Sequence, residues 1–202
     1  QCTGNIPVKK DATAVIKKGD EDYIKGPNKF PLDPGRWGYM GVALQQFFNF
    51  NNEKMCYKSP TDTGLKEGVP CLLRKGVQAS KEQSFIACIS DLYSSTQTKS
   101  KTVLTIDEMK DIIIEKLTLD NFMQFQNGNL VAIFSTDKKI KDIEKYKDTN
   151  IYKSVKKDNK NEMEFIKGII GSYENFIDYL KDPTVIIDYT YLWDIICSPA
   201  VL

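Results

Sequence analysis

Apolar side chains recur at steps of three and four residues along several stretches of the chain, and the clearest pattern begins behind Ser80. Phe85, Ile86, Cys88, Ile89, Leu92 and Tyr93 follow that spacing, which sets them on one side of a helix and predicts that this side is buried. Ser80 and Gln83 have the spacing of a capping box, in which the Ser80 hydroxyl accepts from the Gln83 backbone N–H and the Gln83 side chain reaches back. Just ahead, Val69 to Leu73 is a short apolar run that ends on Arg74, Lys75 and Gly76. It predicts a strand or buried turn feeding the helix, with two cations at the junction. The stretch from Cys71 to Tyr93 is therefore architecture with a basic rim.

The same periodicity marks other helices. Between Met40 and Phe50, the residues Val42, Ala43, Leu44, Phe47 and Phe48 predict a short, strongly buried helix, stopped by Asn49, Asn51 and Asn52. Thr105 and Glu108 form a second capping box, ahead of an inward face of Ile106, Met109, Ile112, Ile113 and Leu117. Leu119 to Phe125 predicts a further short helical piece, and Asn127-Gly128-Asn129 a turn. Leu130 to Phe134 is a buried strand or the start of a buried helix, a choice that periodicity alone leaves open. Glu162 to Lys181 is a long amphipathic helix with Met163, Ile166, Ile169, Ile170, Tyr173, Phe176, Ile177 and Leu180 inward, ended by Asp182-Pro183. Val185 to Cys197 is apolar on nearly all sides and predicts a helix, or a strand–helix pair, enclosed by its neighbours.

Polar segments separate these elements. Residues 1–36 hold many prolines and glycines and predict an extended arm, with one short strand at Thr13–Ile16. Residues 51–70 have turn chemistry throughout and predict a loop, and Ser94 to Lys101 a polar linker. About five helices with two or three short strands, and no regular strand–helix alternation, give a mainly helical α+β class with an arm over 1–36 and a domain over 37–202. The chain begins Gln-Cys and stops soon after an apolar segment, so it is expected to be a fragment of a longer polypeptide.

Composition removes several kinds of chemistry. The 202 residues are 41% apolar, enough for a core of ordinary size, and the net charge of +1 identifies no partner. No apolar run approaches the ~20 residues a bilayer requires, so no membrane contact is expected. There is no histidine, which removes the usual general base and the schemes that depend on imidazole. Neither glycine-rich phosphate motif is present. Five scattered cysteines without a Cys-x-x-Cys pair predict buried free thiols in a reducing compartment, with no zinc site. Asp20 and Asp22 belong to a solvated turn. Asp188 and Asp194 are the only acids in an apolar setting, where a capping or hydrogen-bonding role suits them better than catalysis. No enzyme, cofactor or metal is expected.

Several blocks together carry a likeness: Gly35-Arg36-Trp37-Gly38-Tyr39 through Phe48, Cys71 through Tyr93, and Leu119 through Phe134 with its Gln-Asn-Gly-Asn-Leu. Ser172-Tyr173-Glu174-Asn175-Phe176 and Ile187 through Pro199, with Tyr191-Leu192-Trp193-Asp194-Ile195-Ile196, complete it. Over roughly residues 30–199 the chain resembles an interior region of the large subunit of the early transcription factor of poxviruses and its counterparts in other large nucleocytoplasmic DNA viruses. Met40-Gly41 stands where the family pattern has Leu-Pro, and Tyr189 near a family histidine, which marks a divergent member. The resemblance also implies a Cys-rich stretch upstream of Gln1, to which Cys2 would belong.

What the resemblance implies is a non-catalytic module of a viral early transcription initiation factor in the virion and the cytoplasmic viral factory. Its partners would be double-stranded promoter DNA, a small subunit that carries the ATPase, and the viral RNA polymerase. The alternative is a structural or protein-interaction domain of a virion protein. The residues themselves nominate the DNA-contact candidates. Arg74 and Lys75 sit at the expected strand–helix junction, Arg36 lies beside Trp37 and Tyr39, and Lys138, Lys139, Lys156 and Lys157 fall in the lysine-rich stretch 135–161. Arginine reads guanine edges, whereas lysines give phosphate contact and salt dependence. Against these roles stand a surface salt bridge for Arg74, core packing for Trp37 and Trp193, and an ordinary solvated surface where lysines and acids interleave.

Overall fold

Four short strands and nine α-helices make up the regular structure among the described residues of the computed structural model, which are 23–96, 102–138, 140 and 142–198. The mainly helical α+β class is as the pattern predicts. The predicted strand at Thr13–Ile16, the acids Asp20 and Asp22, and most of the Ser94–Lys101 linker lie outside the described residues. Against an expected arm over 1–36 and a domain over 37–202, the chain divides between Gly76 and Val77 into two compact units.

In the first unit, β1 (Trp37–Tyr39) pairs antiparallel with β4 (Leu73–Lys75), setting Trp37 opposite Lys75, Gly38 opposite Arg74 and Tyr39 opposite Leu73. Lys25 adds a single parallel bridge on the other edge of β1. Between the two strands run α1 (Val42–Phe47), α2 (Asn52–Met55) and an antiparallel hairpin of β2 (Tyr57–Ser59) and β3 (Asp62–Leu65). Residues 51–70 are thus structured where turn chemistry predicts only a loop. Asn51 caps α2 by accepting from the Lys54 N–H, and the hairpin turn closes through Ser59 Oγ and the Asp62 carboxylate. Gly76 is required where it stands: a Cβ there would meet the Asp33 carbonyl oxygen at 2.0 Å, because Gly76 exchanges backbone hydrogen bonds with Gly35 and Arg36.

The core of this unit is small, with Ile24, Tyr39 and Cys56 buried and Phe50, Tyr57, Leu65, Cys71 and Leu73 packed around them. A disulfide joins Cys56 to Cys71 across a Cα–Cα distance of 5.6 Å. The expectation of buried free thiols is corrected twice: these two are bonded, and the free Cys88 and Cys197 are exposed. Sequence spacing carries no trace of the pairing, because the hairpin is what brings residue 56 back beside residue 71.

In the second unit, α8 (Lys160–Lys181) is the element that the others cover. Its buried face is Ile166, Ile169, Ile170, Tyr173, Phe176 and Leu180, close to the predicted stripe. α3 (Ser84–Thr96), α4 (Ile106–Lys116), α5 (Leu119–Phe122), α6 (Asn129–Ile133), α7 (Asn150–Ser154) and α9 (Trp193–Ile196) contribute to the same core. Phe176 lies with its ring centroid 5.5 Å from that of Phe122 and 4.7 Å from that of Phe134. The Thr105–Glu108 capping box forms as predicted. Gln126, Asn127 and Gly128 have positive φ values of 50°, 54° and 85°, a left-handed turn that glycine and asparagine tolerate, and α6 starts directly after it. The ambiguous run Leu130–Phe134 is therefore helical.

Two predicted features differ. Ser80 does accept from the Gln83 N–H at 2.9 Å, yet the Gln83 side chain does not return to it, and α3 begins only at Ser84. Gln83 is buried instead, donating to the Asp182 and Val185 carbonyls and accepting from Lys110 Nζ at 3.1 Å. The buried side of α3 is Ile86, Ala87, Ser90 and Ser94, so Cys88 and Leu92 face outward. At the C-terminal end only Trp193–Ile196 is helical, and Ile186, Tyr189 and Trp193 are exposed where full enclosure is predicted. A side-chain turn divides that run, with Asp188 accepting from the Thr190 N–H, and Asp194 ties it to a distant segment by accepting from the Gln126 N–H.

Removing the Cys56–Cys71 bridge, by reductant or by paired alanines, is expected to destabilise the first unit by about 3 kcal/mol, the chain-entropy value for a loop of this length. Hydrogen exchange over residues 23–76 is the readout, with 77–198 unchanged. A second expectation concerns pH. Burial pushes Tyr146 up to about 12, aided by the Glu174 carboxylate and opposed by Lys145, and burial beside Asp188 does the same to Tyr179. The folded form then keeps protons that the unfolded chain releases, so this stabilisation is complete below pH 10 and is lost as pH rises to about 12. Denaturant midpoints measured across that window should fall.

Candidate interaction surface

Helix α1 is built inside out. Its polar residue faces the unit: Gln45 Nε2 donates to the Met40 carbonyl at 2.8 Å, and Gln45 Oε1 accepts from the Asn52 N–H at 3.0 Å. The buried Asn52 side chain donates to the same Met40 carbonyl. With the amide side anchored, a helix this short turns its apolar side chains outward. None of its residues is buried. Phe47 is 79% exposed, Val42 and Phe48 55% each, and Leu44 46%, which corrects the predicted strongly buried helix. The Phe47 and Phe48 rings meet edge to face at 5.0 Å. Phe30, also exposed, reaches the start of the helix: a Cβ on Gly41 would stand 3.6 Å from its Cζ. On the polar side, Gln45, Gln46, Asn49, Phe50 and Asn51 line a shallow cleft of about 350 Å³ with Val42.

Arg74 pins the segment before β1 to this region. Its Nε donates to the Tyr39 carbonyl at 2.6 Å, and Nη2 reaches the carbonyls of Gly26, Pro27 and Lys29 at 3.2, 3.3 and 3.2 Å. The guanidinium carbon lies 4.1 Å from the centroid of the Phe30 ring. Arg74 is therefore inside β4 and held by carbonyls rather than by a surface carboxylate, and burial lowers its pKa from the ordinary arginine value. Lys75 Nζ stands 5.6 Å from the Trp37 ring, and Trp37 is exposed instead of packed in a core. Arg36 is half-buried between the Asp33 carbonyl, which accepts from its N–H, and the Gly76 N–H, which donates to its carbonyl.

The lysines of the second unit are separated along the chain, and some of them are matched with acids. Lys138 lies 3.3 Å from Asp178, and Lys145 2.7 Å from Glu174, which also accepts from the Tyr146 hydroxyl. The exposed Lys156 donates its backbone N–H to Glu162, and Lys157 Nζ sits 5.3 Å from the Tyr152 ring. Asp178 and Glu162 are sixteen residues apart on α8, a separation of about 24 Å along the helix axis, so Lys138 is not brought beside Lys156 and Lys157. Lys139 lies outside the described residues. A cleft of about 320 Å³ beside α8 carries both signs, with Lys138, Lys145, Asp142, Glu174 and Asp178 in its lining.

Nothing in the sequence points to the buried Lys110, which donates to Gln83 Oε1 and pairs with Asp107 at 3.0 Å. A lysine inside an amphipathic stripe looks like any solvated one until its partners are in place. Among the described residues no helix is long and apolar enough to cross a membrane, and no three acidic or sulfur ligands gather as a metal site would require. Comparison with protein-family models, with curated proteins and with solved structures finds no match.

Arg74→Ala is expected to destabilise the first unit by about 1–2 kcal/mol, with faster hydrogen exchange over residues 25–30. Arg74→Lys should restore little, because one ammonium lacks the fork that spans Tyr39 and the 26–29 carbonyls.

Proposed function

We propose that this chain is a non-catalytic module of a viral early transcription initiation factor, acting in the virion and the cytoplasmic viral factory chiefly through protein contact. Its partners are the small ATPase subunit of the same factor and the viral RNA polymerase, with double-stranded promoter DNA a weaker one. The blocks from Gly35 to Pro199 that resemble the family supply the context. The observation that carries the choice of protein over DNA is the outward apolar face of α1. A monomer seldom leaves several large apolar side chains together in water without a partner for them.

The electrostatics agree with that emphasis. Arg74 is held by carbonyls through its Nε and Nη2, and Lys138 and Lys145 are paired with acids. Such groups give DNA affinity of the phosphate-contacting, salt-sensitive kind and little base readout. The Cys56–Cys71 bridge favours a second reading, a structural or protein-interaction domain of a virion protein, since disulfides persist in oxidising settings such as virion surfaces.

Sedimentation of the full chain with the small ATPase subunit and with the polymerase tests the first reading. A stable complex that survives raised salt is expected, alongside duplex affinity near the non-specific level of about 10⁻⁴–10⁻⁶ M that weakens steeply as salt increases. Tight, salt-resistant duplex binding without any protein complex would sink it. Capture of capsid or other virion structural proteins alone would favour the second.

A further inference from the structure

The buried end of the Cys56–Cys71 bridge faces an amide oxygen that a disulfide cannot satisfy. Asn52, only 2% exposed, donates through Nδ2 to the Met40 carbonyl, which fixes its Oδ1 toward Cys56 Sγ at 4.0 Å. That contact is a hydrogen bond only when Cys56 is a thiol, since a disulfide sulfur has no hydrogen to donate. A buried acceptor facing no hydrogen costs free energy, so reduction relieves a cost that the oxidised bridge carries. The other end of the bridge is open to attack. Cys71 is half-buried, Leu72 beside it is exposed, and so is the run from Glu67 to Pro70. An incoming thiolate therefore reaches the sulfur of Cys71 and not that of Cys56, which is 1% exposed.

We propose that Cys56–Cys71 is a reversible redox switch of the first unit and not a permanent strut, whichever partner the unit takes. The reductant is a low-molecular-weight thiol such as glutathione. Its thiolate attacks Cys71 Sγ, the bond to Cys56 breaks, and Cys56 leaves as a thiolate that takes a proton from water. The Cys56 thiol then donates to Asn52 Oδ1. A second small thiolate attacks the first in the mixed disulfide and releases Cys71, which is protonated in turn. Two small thiols are thereby oxidised to one small disulfide, and the bridge gains two electrons and two protons. Oxidised glutathione runs the same steps backwards. The two ends respond differently. Cys56 stays anchored, because Asn52 also donates its N–H to Gln45 Oε1 and the Lys66 N–H donates to the Cys56 carbonyl. Cys71 loses its tie to that core, and the exposed run 67–70 loosens with it.

The test holds the full chain, without denaturant, in buffers of graded reduced-to-oxidised glutathione ratio. Free thiols are then alkylated and each cysteine is read by peptide mass spectrometry, which keeps the exposed Cys88 and Cys197 apart from the bridge. The bridge is expected to open and re-form across the glutathione range, where purely structural bridges resist reduction. Samples quenched early with acid should carry the glutathione adduct on Cys71. Cleavage after Glu67 by a glutamate-specific protease should speed up on reduction. Asn52→Ala should make reduction harder, raising the ratio of reduced glutathione squared to oxidised glutathione at half-reduction by about two- to tenfold, the worth of one hydrogen bond. A residue that merely supported the fold would affect both redox forms alike and leave that ratio unmoved. Thermal unfolding of the oxidised variant checks that its fold is kept; if it is not, the parent's reversibility and adduct site decide alone. A bridge that glutathione opens only in denaturant, or that does not re-form, overturns the proposal. So does an adduct on Cys56, protease cleavage indifferent to reduction, or a folded Asn52→Ala that titrates like the parent.

Discussion

Helix α8 cannot stand in water by itself. Eight of its residues are buried, and Phe176 at the centre of that face touches rings from two other segments, Phe122 and Phe134. Moving such a face out of water is the dominant favourable term for a unit of this size, and the helices around it are arranged to supply cover. Where the cover consists of loops, tyrosines close the gaps and take their hydroxyls to local acceptors: Tyr173 to the Leu117 carbonyl, Tyr179 to the Ile186 carbonyl, Tyr146 to Glu174. An aromatic ring with one polar atom suits a boundary that is apolar on one side and backbone on the other.

The first unit lives under the opposite constraint. Three buried residues make a core too small to hold two thin sheets together unaided, and short chains in that position rely on added links. Three are present: the Cys56–Cys71 bridge, the Arg74 fork across the 26–29 carbonyls, and the backbone bonds of Gly76 with Gly35 and Arg36. Because these links hold the unit from within, its apolar side chains are not needed there, and α1 turns them outward.

Glutamine organises both units in the same way. An amide carries donors and acceptors at once, so a single buried side chain can tie strands of backbone that no regular structure joins. Gln45 links the Met40 carbonyl to the Asn52 N–H, and Gln83 links the segment ahead of α3 to the turn after α8. Lys110, whose ammonium donates to Gln83, remains buried on that account. Hydrophobic patterning gives no warning of either link, because it treats glutamine as surface.

Local pattern by itself determined the mainly helical class, the course of α8, the Thr105–Glu108 cap and the presence of a turn at Asn127-Gly128, since each depends on neighbours within a few residues. It located apolar faces without saying what they meet. That was decided only in three dimensions: Leu44, Phe47 and Phe48 have the spacing of a core stripe and lie in solvent, while Gln45 beside them is the residue that anchors the helix. The pairing of Cys56 with Cys71, the capture of Arg74 by distant carbonyls and the separation of Lys138 from Lys156 have the same origin. Each follows from where the chain returns to itself, and no local pattern encodes a return.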